Sequence, residues 1–260
     1  MRKSIVNLLA VPLLAGVACP AVAGTLVASG DEWQLSNDAY ADPYQTGTQQ
    51  FVTSLAATFG GSNYLFLSGN GNVPQAKLSS AAAQFATLGK TVTFSTVFSP
   101  EMALGYDAVF HFGQWIDPTA IKSYVDGGGN AYISLGSGWY GTAGGEAAHW
   151  NPMLATYGLV AGSSWFTAAG FVQATVTVGP SSALIWGYGQ SIEKLPGSLT
   201  SQSYIRGKFS PTGEEIGLVG ASRALLTSAV PEPASWGLMI LGFAAVGAGL
   251  RRQRRVVSFG

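Results

Sequence analysis

Residues 106–113, Tyr106-Asp107-Ala108-Val109-Phe110-His111-Phe112-Gly113, carry the reading that decides the fold. An apolar run without polar alternation predicts a strand covered on both faces. Asp117-Pro118 supplies an N-cap and a first-turn proline, and predicts a helix running to about Asp126. Gly127-Gly128-Gly129 breaks that helix. Asn130 to Leu135 then makes a strand, which stops at the Gly136-Ser137-Gly138 turn.

Toward the N-terminus, Thr91 to Val97 is β-branched and reads as a strand. Ala76 to Leu88 reads as a helix closed by Gly89. Tyr64-Leu65-Phe66-Leu67 reads as a buried strand ending in Ser68-Gly69-Asn70-Gly71. Thr25 to Ala28 is a further short strand. Toward the C-terminus, Glu146 to Tyr157 predicts a helix ended by Gly158. Val172 to Val178, Leu184 to Trp186, Tyr204 to Phe209 and Gly217 to Val219 predict strands that extend or flank the sheet. Strand and helix alternate, so the fold class is α/β, with a largely parallel, doubly wound sheet and helices on both faces.

The order of Tyr106 to Gly113, Ile121 to Asp126, the glycine corner and Asn130-Ala131-Tyr132-Ile133 resembles class I glutamine-amidotransferase-like domains. The resemblance covers roughly residues 60–160 and implies a flavodoxin-like fold with its site after the last of these strands. In that family the nucleophile there is a cysteine. This chain has Ser134-Leu135-Gly136-Ser137-Gly138 instead, so glutaminase activity by the family mechanism is not expected.

A serine-dependent hydrolase would use Ser137 as nucleophile, His149 as base and Glu146 as its orienting partner. The flanking residues do not form the Gly-x-Ser-x-Gly elbow. Glu146 and His149, three apart on one predicted helix, fit a surface pair equally well. His111 and His149 are the only histidines and show no metal-ligand spacing, so no metal site is expected. Gly69-Asn70-Gly71-Asn72 and Gly127-Gly128-Gly129 lack the lysine and glycine order of phosphate loops; they read as turns, and no cofactor is expected. Trp115, Trp139, Tyr140, Trp150, Trp165 and Phe166 fall beside strand ends, where they either roof the core or stack on sugar rings.

Residues 24–230 contain seven Lys or Arg against twelve Asp or Glu, an acidic balance that argues against nucleic acid as a partner. The basic residues lie at the ends. Arg2 and Lys3 precede an apolar stretch from Ile5 to Val17, and Ala21-Val22-Ala23 offers the small-x-small pattern of signal peptidase, so 1–23 reads as a signal peptide cleaved after Ala23. Cys19, the only cysteine, falls within it, leaving the mature chain, from Gly24, without a thiol.

At the other end, Ala234 to Leu250 has seventeen residues without charge, followed by Arg251-Arg252-Gln253-Arg254-Arg255. As a helix it is about 25 Å long, near the lower limit for crossing a membrane. The arginines keep their end in the cytoplasm and put the domain on the far side. Val230-Pro231-Glu232-Pro233, Trp236, Met239, Gly242-Phe243, Gly247 and Arg251-Arg252 resemble the PEP-CTERM sorting signal. That resemblance implies an exosortase as processing partner, cleavage near Pro231-Glu232-Pro233, and delivery to the cell surface or an exopolysaccharide matrix. The expected layout is a signal peptide at 1–23, an exported domain at 24–228, and a sorting signal at 229–255 with a transmembrane helix at 234–250. The expected role is that of a cell-envelope or matrix protein with a non-catalytic domain, the alternatives being a hydrolase of an envelope polymer or a carbohydrate-binding module.

Overall fold

A computed structural model describes residues 24–166, 170–178, 184–185, 187–208 and 213–223. The expected signal peptide and the sorting tail lie outside the described residues, and among the described residues no helix is long and apolar enough to cross a membrane. The elements are β1 (Thr25–Ser29), α1 (Gln45–Phe59), β2 (Asn63–Leu67), α2 (Ser79–Thr87), β3 (Thr91–Ser95), α3 (Pro100–Ala103), β4 (Ala108–Phe112), α4 (Pro118–Asp126), β5 (Asn130–Ser134), α5 (Ala143–Thr156), β6 (Leu159–Trp165), β7 (Val172–Gln173), β8 (Thr175–Val178), β9 (Leu184–Ile185), β10 (Gln190–Lys194), β11 (Ser201–Lys208) and β12 (Glu215–Arg223).

One eight-stranded sheet has the order β3-β2-β4-β5-β1-β12-β11-β8. The first five strands of that order run parallel, and β12, β11 and β8 pair antiparallel. The domain is therefore α/β with a mostly parallel sheet. Thr25 to Ser29 does not sit at its margin: Val27 faces Tyr132 of β5 on one side and Ala221 of β12 on the other.

Alternation along each strand feeds two cores. Phe110 and Tyr132 face α1 and α2, meeting Phe51, Leu55 and Phe85, while Val109 and Ile133 face α4 and α5, meeting Ile121, Val125, Trp150 and Leu154. Phe110 is the hub of the first core, with ring centroids of Phe66, Phe85 and Tyr64 at 4.8, 5.1 and 5.3 Å. Full burial of one such side chain stabilises by about 1.5–3 kcal/mol. Local signals set the helix starts on the other face. Asp117 accepts from Thr119 N at 2.9 Å ahead of Pro118, and Thr142 Oγ1 accepts from Gly145 N at 2.9 Å to open α5.

Helix α1, which no sequence signal announced, follows β1 with no side-chain cap. Its Thr53, Ser54 and Thr58 hydroxyls turn back to the carbonyls of Gln49, Gln50 and Ser54. Beyond α5, β6 pairs antiparallel with β10 in a separate ribbon. The ribbon lies against β12 at Gly217 and Gly220, where an added Cβ would collide with Ile192. Gln190 N also donates to Gly30 O at 2.7 Å, which brings the start of β10 to the end of β1.

Strands β3 and β4 leave β2 on opposite sides, so chain order reverses at β2 and β4. In open α/β sheets the crevice outside the carboxyl ends of such strands is where ligands bind.

Candidate functional site

Four strand ends converge on that crevice. Gly30-Asp31-Glu32 follows β1, Ser68 to Asn72 follows β2, Gly113-Gln114-Trp115 follows β4, and Leu135 to Trp139 follows β5. Asp31 caps a short 3-10 turn at Glu32–Leu35 by accepting from Trp33 N at 2.7 Å, which aims Glu32 inward. Glu32 is 2% exposed. Its Oε2 accepts from Asn70 Nδ2 and its Oε1 from Asn72 Nδ2, the latter at 3.3 Å. Asn70 is the hinge of the cluster: it also donates to Phe112 O at 2.8 Å and accepts from Asn72 N at 2.9 Å and from the Trp139 indole N–H at 3.0 Å. The Gly69 to Asn72 stretch is a turn, as its glycines predict, and it also supplies polar side chains to the crevice.

Burial pushes the Glu32 carboxyl up to about 8, with the neighbouring Asp31 and Glu146 adding to the rise and the two asparagines opposing it. Glu32 is therefore protonated at neutral pH.

Ser137 and Glu146, the outer two residues of the hydrolase reading, meet directly. The Ser137 hydroxyl donates to Glu146 Oε1 at 3.1 Å, Gly136 N donates to Oε2 at 2.9 Å, and Gln190 Nε2 donates to Oε2 as well. Glu146 is fully buried, and burial raises its pKa against the opposing effect of these bonds. The carboxylate thus ties the turn after β5 to α5 and to the start of β10.

His149 does not join them. Its Nε2 lies 2.9 Å from Ile116 O, and its ring packs 4.8 Å from both Trp115 and Tyr140. His111 is also turned away. Its Nε2 lies 2.6 Å from Gln114 O, its ring is 5.1 Å from Trp150, and burial lowers its pKa to about 4.

Gly113 lies between Glu32 and the turn after β5. At φ +72°, a Cβ added there would stand 2.6 Å from Glu32 Oε2, 2.7 Å from Ser137 Cβ and 3.0 Å from Asn70 Nδ2. Glu32 and Ser137 therefore flank the same point, which only a glycine leaves open.

Among the described residues, no three of His, Cys, Asp and Glu converge as metal ligands. The site offers a buried acid pair, amide donors, and indoles at its mouth. Trp150 is buried and roofs the core, while Trp115 and Trp139 are 65% and 55% exposed. Sequence reasoning had singled out Ser137, Glu146 and the aromatic residues but missed Glu32, Asn70, Asn72 and Gln190. The one local signal for Glu32 was an Asp-Glu pair directly after an apolar strand.

The sorting residues Pro231, Glu232, Pro233, Trp236, Gly242, Phe243, Arg251 and Arg252, like Ala21 and Ala23 of the expected cleavage site, lie outside the described residues. No characterised protein and no solved structure matches the chain. Residues 229–255 match the PEP-CTERM protein-sorting motif, which indicates an exported, membrane-associated protein processed by exosortase.

Proposed function

We propose that this chain is a non-catalytic protein of the cell envelope or of an exopolysaccharide matrix. On this reading, a signal peptide at 1–23 is removed by signal peptidase, residues 24–228 form the exported domain, and the segment 229–255 anchors it through 234–250 until processing. The strand order β3-β2-β4-β5 follows the first four places of the flavodoxin-like order 2-1-3-4-5, which supports an amidotransferase-like scaffold. The fifth place is taken by the N-terminal β1, a departure from that order. The single observation that carries the non-catalytic reading is at Ser137. It stands where the resemblance puts a nucleophile, yet its hydroxyl is donated to Glu146, and the His149 ring nitrogen is engaged at Ile116 O instead. A Ser-His triad needs an imidazole on the serine proton, whereas Ser137 is buried and its partner Glu146, itself fully buried, also accepts from Gly136 N and Gln190, so that the bond serves the packing of the turn.

The test is fractionation of cells and medium with intact-mass measurement of the recovered chain. The expected result is a chain starting at Gly24, lacking residues beyond the Pro231-Glu232-Pro233 region, and found at the surface or in the matrix. A chain retained in the inner membrane with Arg251 to Arg255 intact would refute the sorting fate. Any envelope-polymer hydrolysis abolished by Ser137→Ala would refute the non-catalytic reading. Glycan binding is a second reading, favoured by the exposed indoles of Trp115 and Trp139 at the crevice.

A further inference from the structure

Three aromatic side chains among the described residues are exposed: Trp115, Trp139 and Tyr188, at 65%, 55% and 48%. All three belong to one edge of the molecule. Trp115 follows β4 and Trp139 follows β5, while Tyr188 precedes β10 and presses its backbone on the same turn, its carbonyl 3.0 Å from where a Cβ of Gly136 would stand. Scattered exposure of apolar residues needs no explanation, whereas convergence of every exposed ring from three separate loops does.

Each ring is also held in place. Trp115 stacks on Tyr140 at 5.0 Å and 29°, Trp139 is tied by its N–H to Asn70, and Tyr188 meets Trp165 edge-on at 4.9 Å. Rings fixed before binding lose little entropy when a ligand arrives.

The groups beneath the rings point to the chemistry of the occupant. Trp165 Nε1 and Gln190 Oε1 are buried without a hydrogen-bond partner among the described residues, while Tyr140 Oη and Trp150 Nε1 face each other. The unpartnered groups are one donor and one acceptor, both neutral, and Gln190 is fully buried. Neither Glu32 nor Glu146 has a lysine or arginine among its partners. An anionic polymer would find no cation among these groups to pair with.

We propose that Trp115, Trp139 and Tyr188 form a binding rim for a neutral, hydroxyl-rich polysaccharide, whose sugar rings lie on the aromatic faces. The proposal rests on the glycan-binding reading above and adds the residues and the charge class of the ligand. A neutral glycan offers apolar ring faces to the indoles and hydroxyls to the neutral donors and acceptors.

The test is native affinity electrophoresis of the full chain in gels containing hydroxyethylcellulose, laminarin, dextran or alginate. Circular dichroism of each variant serves as the folding control. At least one neutral polymer should retard the wild type, and alginate should not. Trp115→Ala, Trp139→Ala and Tyr188→Ala should each weaken retardation roughly 2- to 10-fold, the range expected for loss of one ring contact. The folded triple variant should migrate as in an empty gel. Absence of retardation in all three neutral polymers, stronger retention by alginate, or unchanged retention of the triple variant would overturn the proposal. These outcomes separate from the localisation reading: a chain recovered from the matrix but not retarded in any neutral gel keeps that reading and loses this one.

Discussion

Replacing Glu32 by glutamine should make the protein more stable at alkaline pH and leave it nearly unchanged in acid. Glutamine keeps the shape of the side chain and one acceptor oxygen for Asn70 Nδ2, its NH2 being matched once Asn72 turns its amide oxygen inward, and it cannot ionise. In the folded chain the Glu32 carboxyl keeps its proton up to about pH 8, against an ordinary value of 4.5. Between those values the folded state binds more protons than the unfolded state, so stability falls as pH rises. The contribution is fully present below about 4.5 and gone above about 8. At about 1.4 kcal/mol per pH unit, the whole interval amounts to about 5 kcal/mol.

His111 acts with the opposite sign. Its pKa falls from 6.5 to about 4, so its contribution is lost as pH drops through that range. The two effects largely cancel between about 4.5 and 6.5, and Glu32 acts without that opposition from 6.5 to 8, where its share is about 2 kcal/mol. Buried Glu146, also raised, adds to the alkaline loss. Urea denaturation of wild type and Glu32→Gln at pH 4.5, 6.5 and 8 isolates the Glu32 contribution, including its coupling to Glu146, because the difference between the two proteins removes the His111 effect. That difference should grow toward about 5 kcal/mol in favour of the variant. Parallel stability curves, with a constant offset across the range, would refute a protonated Glu32 in the fold.

Two further substitutions test the packing around the site and below it. Gly113→Ala would force a left-handed backbone on a β-carbon that meets Glu32, Ser137 and Asn70, and should cost about 2–5 kcal/mol, read as a lower urea midpoint. Phe110→Ala removes the hub of the aromatic core and should cost about 3–5 kcal/mol with the far-ultraviolet spectrum of the remaining fold preserved, as measured by thermal and urea melts.

The parallel sheet was legible because both faces of its strands are covered. Tyr64 to Leu67 and Ala108 to Phe112 lack polar alternation, and both runs are fully buried. The start of α4 was legible for a local reason, the Asp117-Pro118 cap. Helix α1 was not, since Gln45 to Phe59 carries Gly47 and several Ser and Thr residues that satisfy their hydroxyls only after the helix exists. The central position of β1 was equally hidden, because its partners lie about a hundred residues or more away at Tyr132 and Ala221. The site repeats that division. Ser137 and Glu146 are nine apart, and the sequence put both in one candidate triad with Glu146 orienting His149, whereas the structure bonds Glu146 to Ser137 directly. Glu32 meets Asn70 only because β1 and β2 end at the same edge, separated in the sheet by β4 and β5. No window of sequence contains that meeting.

The same edge is where the domain departs from what stability alone would select. A buried carboxyl is costly even when hydrogen-bonded, and replacing buried ionisable groups by well-packed apolar ones is often neutral or stabilising. The Phe110 core shows how thoroughly this chain packs where packing is the only demand. Glu32 and Glu146 are nonetheless buried around residue 137, and Asn70, Asn72 and Gln190 are spent holding them. The asparagine that braces Glu32 is also the one that fixes the exposed Trp139. Ionisation of Glu32 should therefore be felt at the indole, and the alkaline loss of stability should be matched by a change in Trp139 fluorescence that Glu32→Gln abolishes.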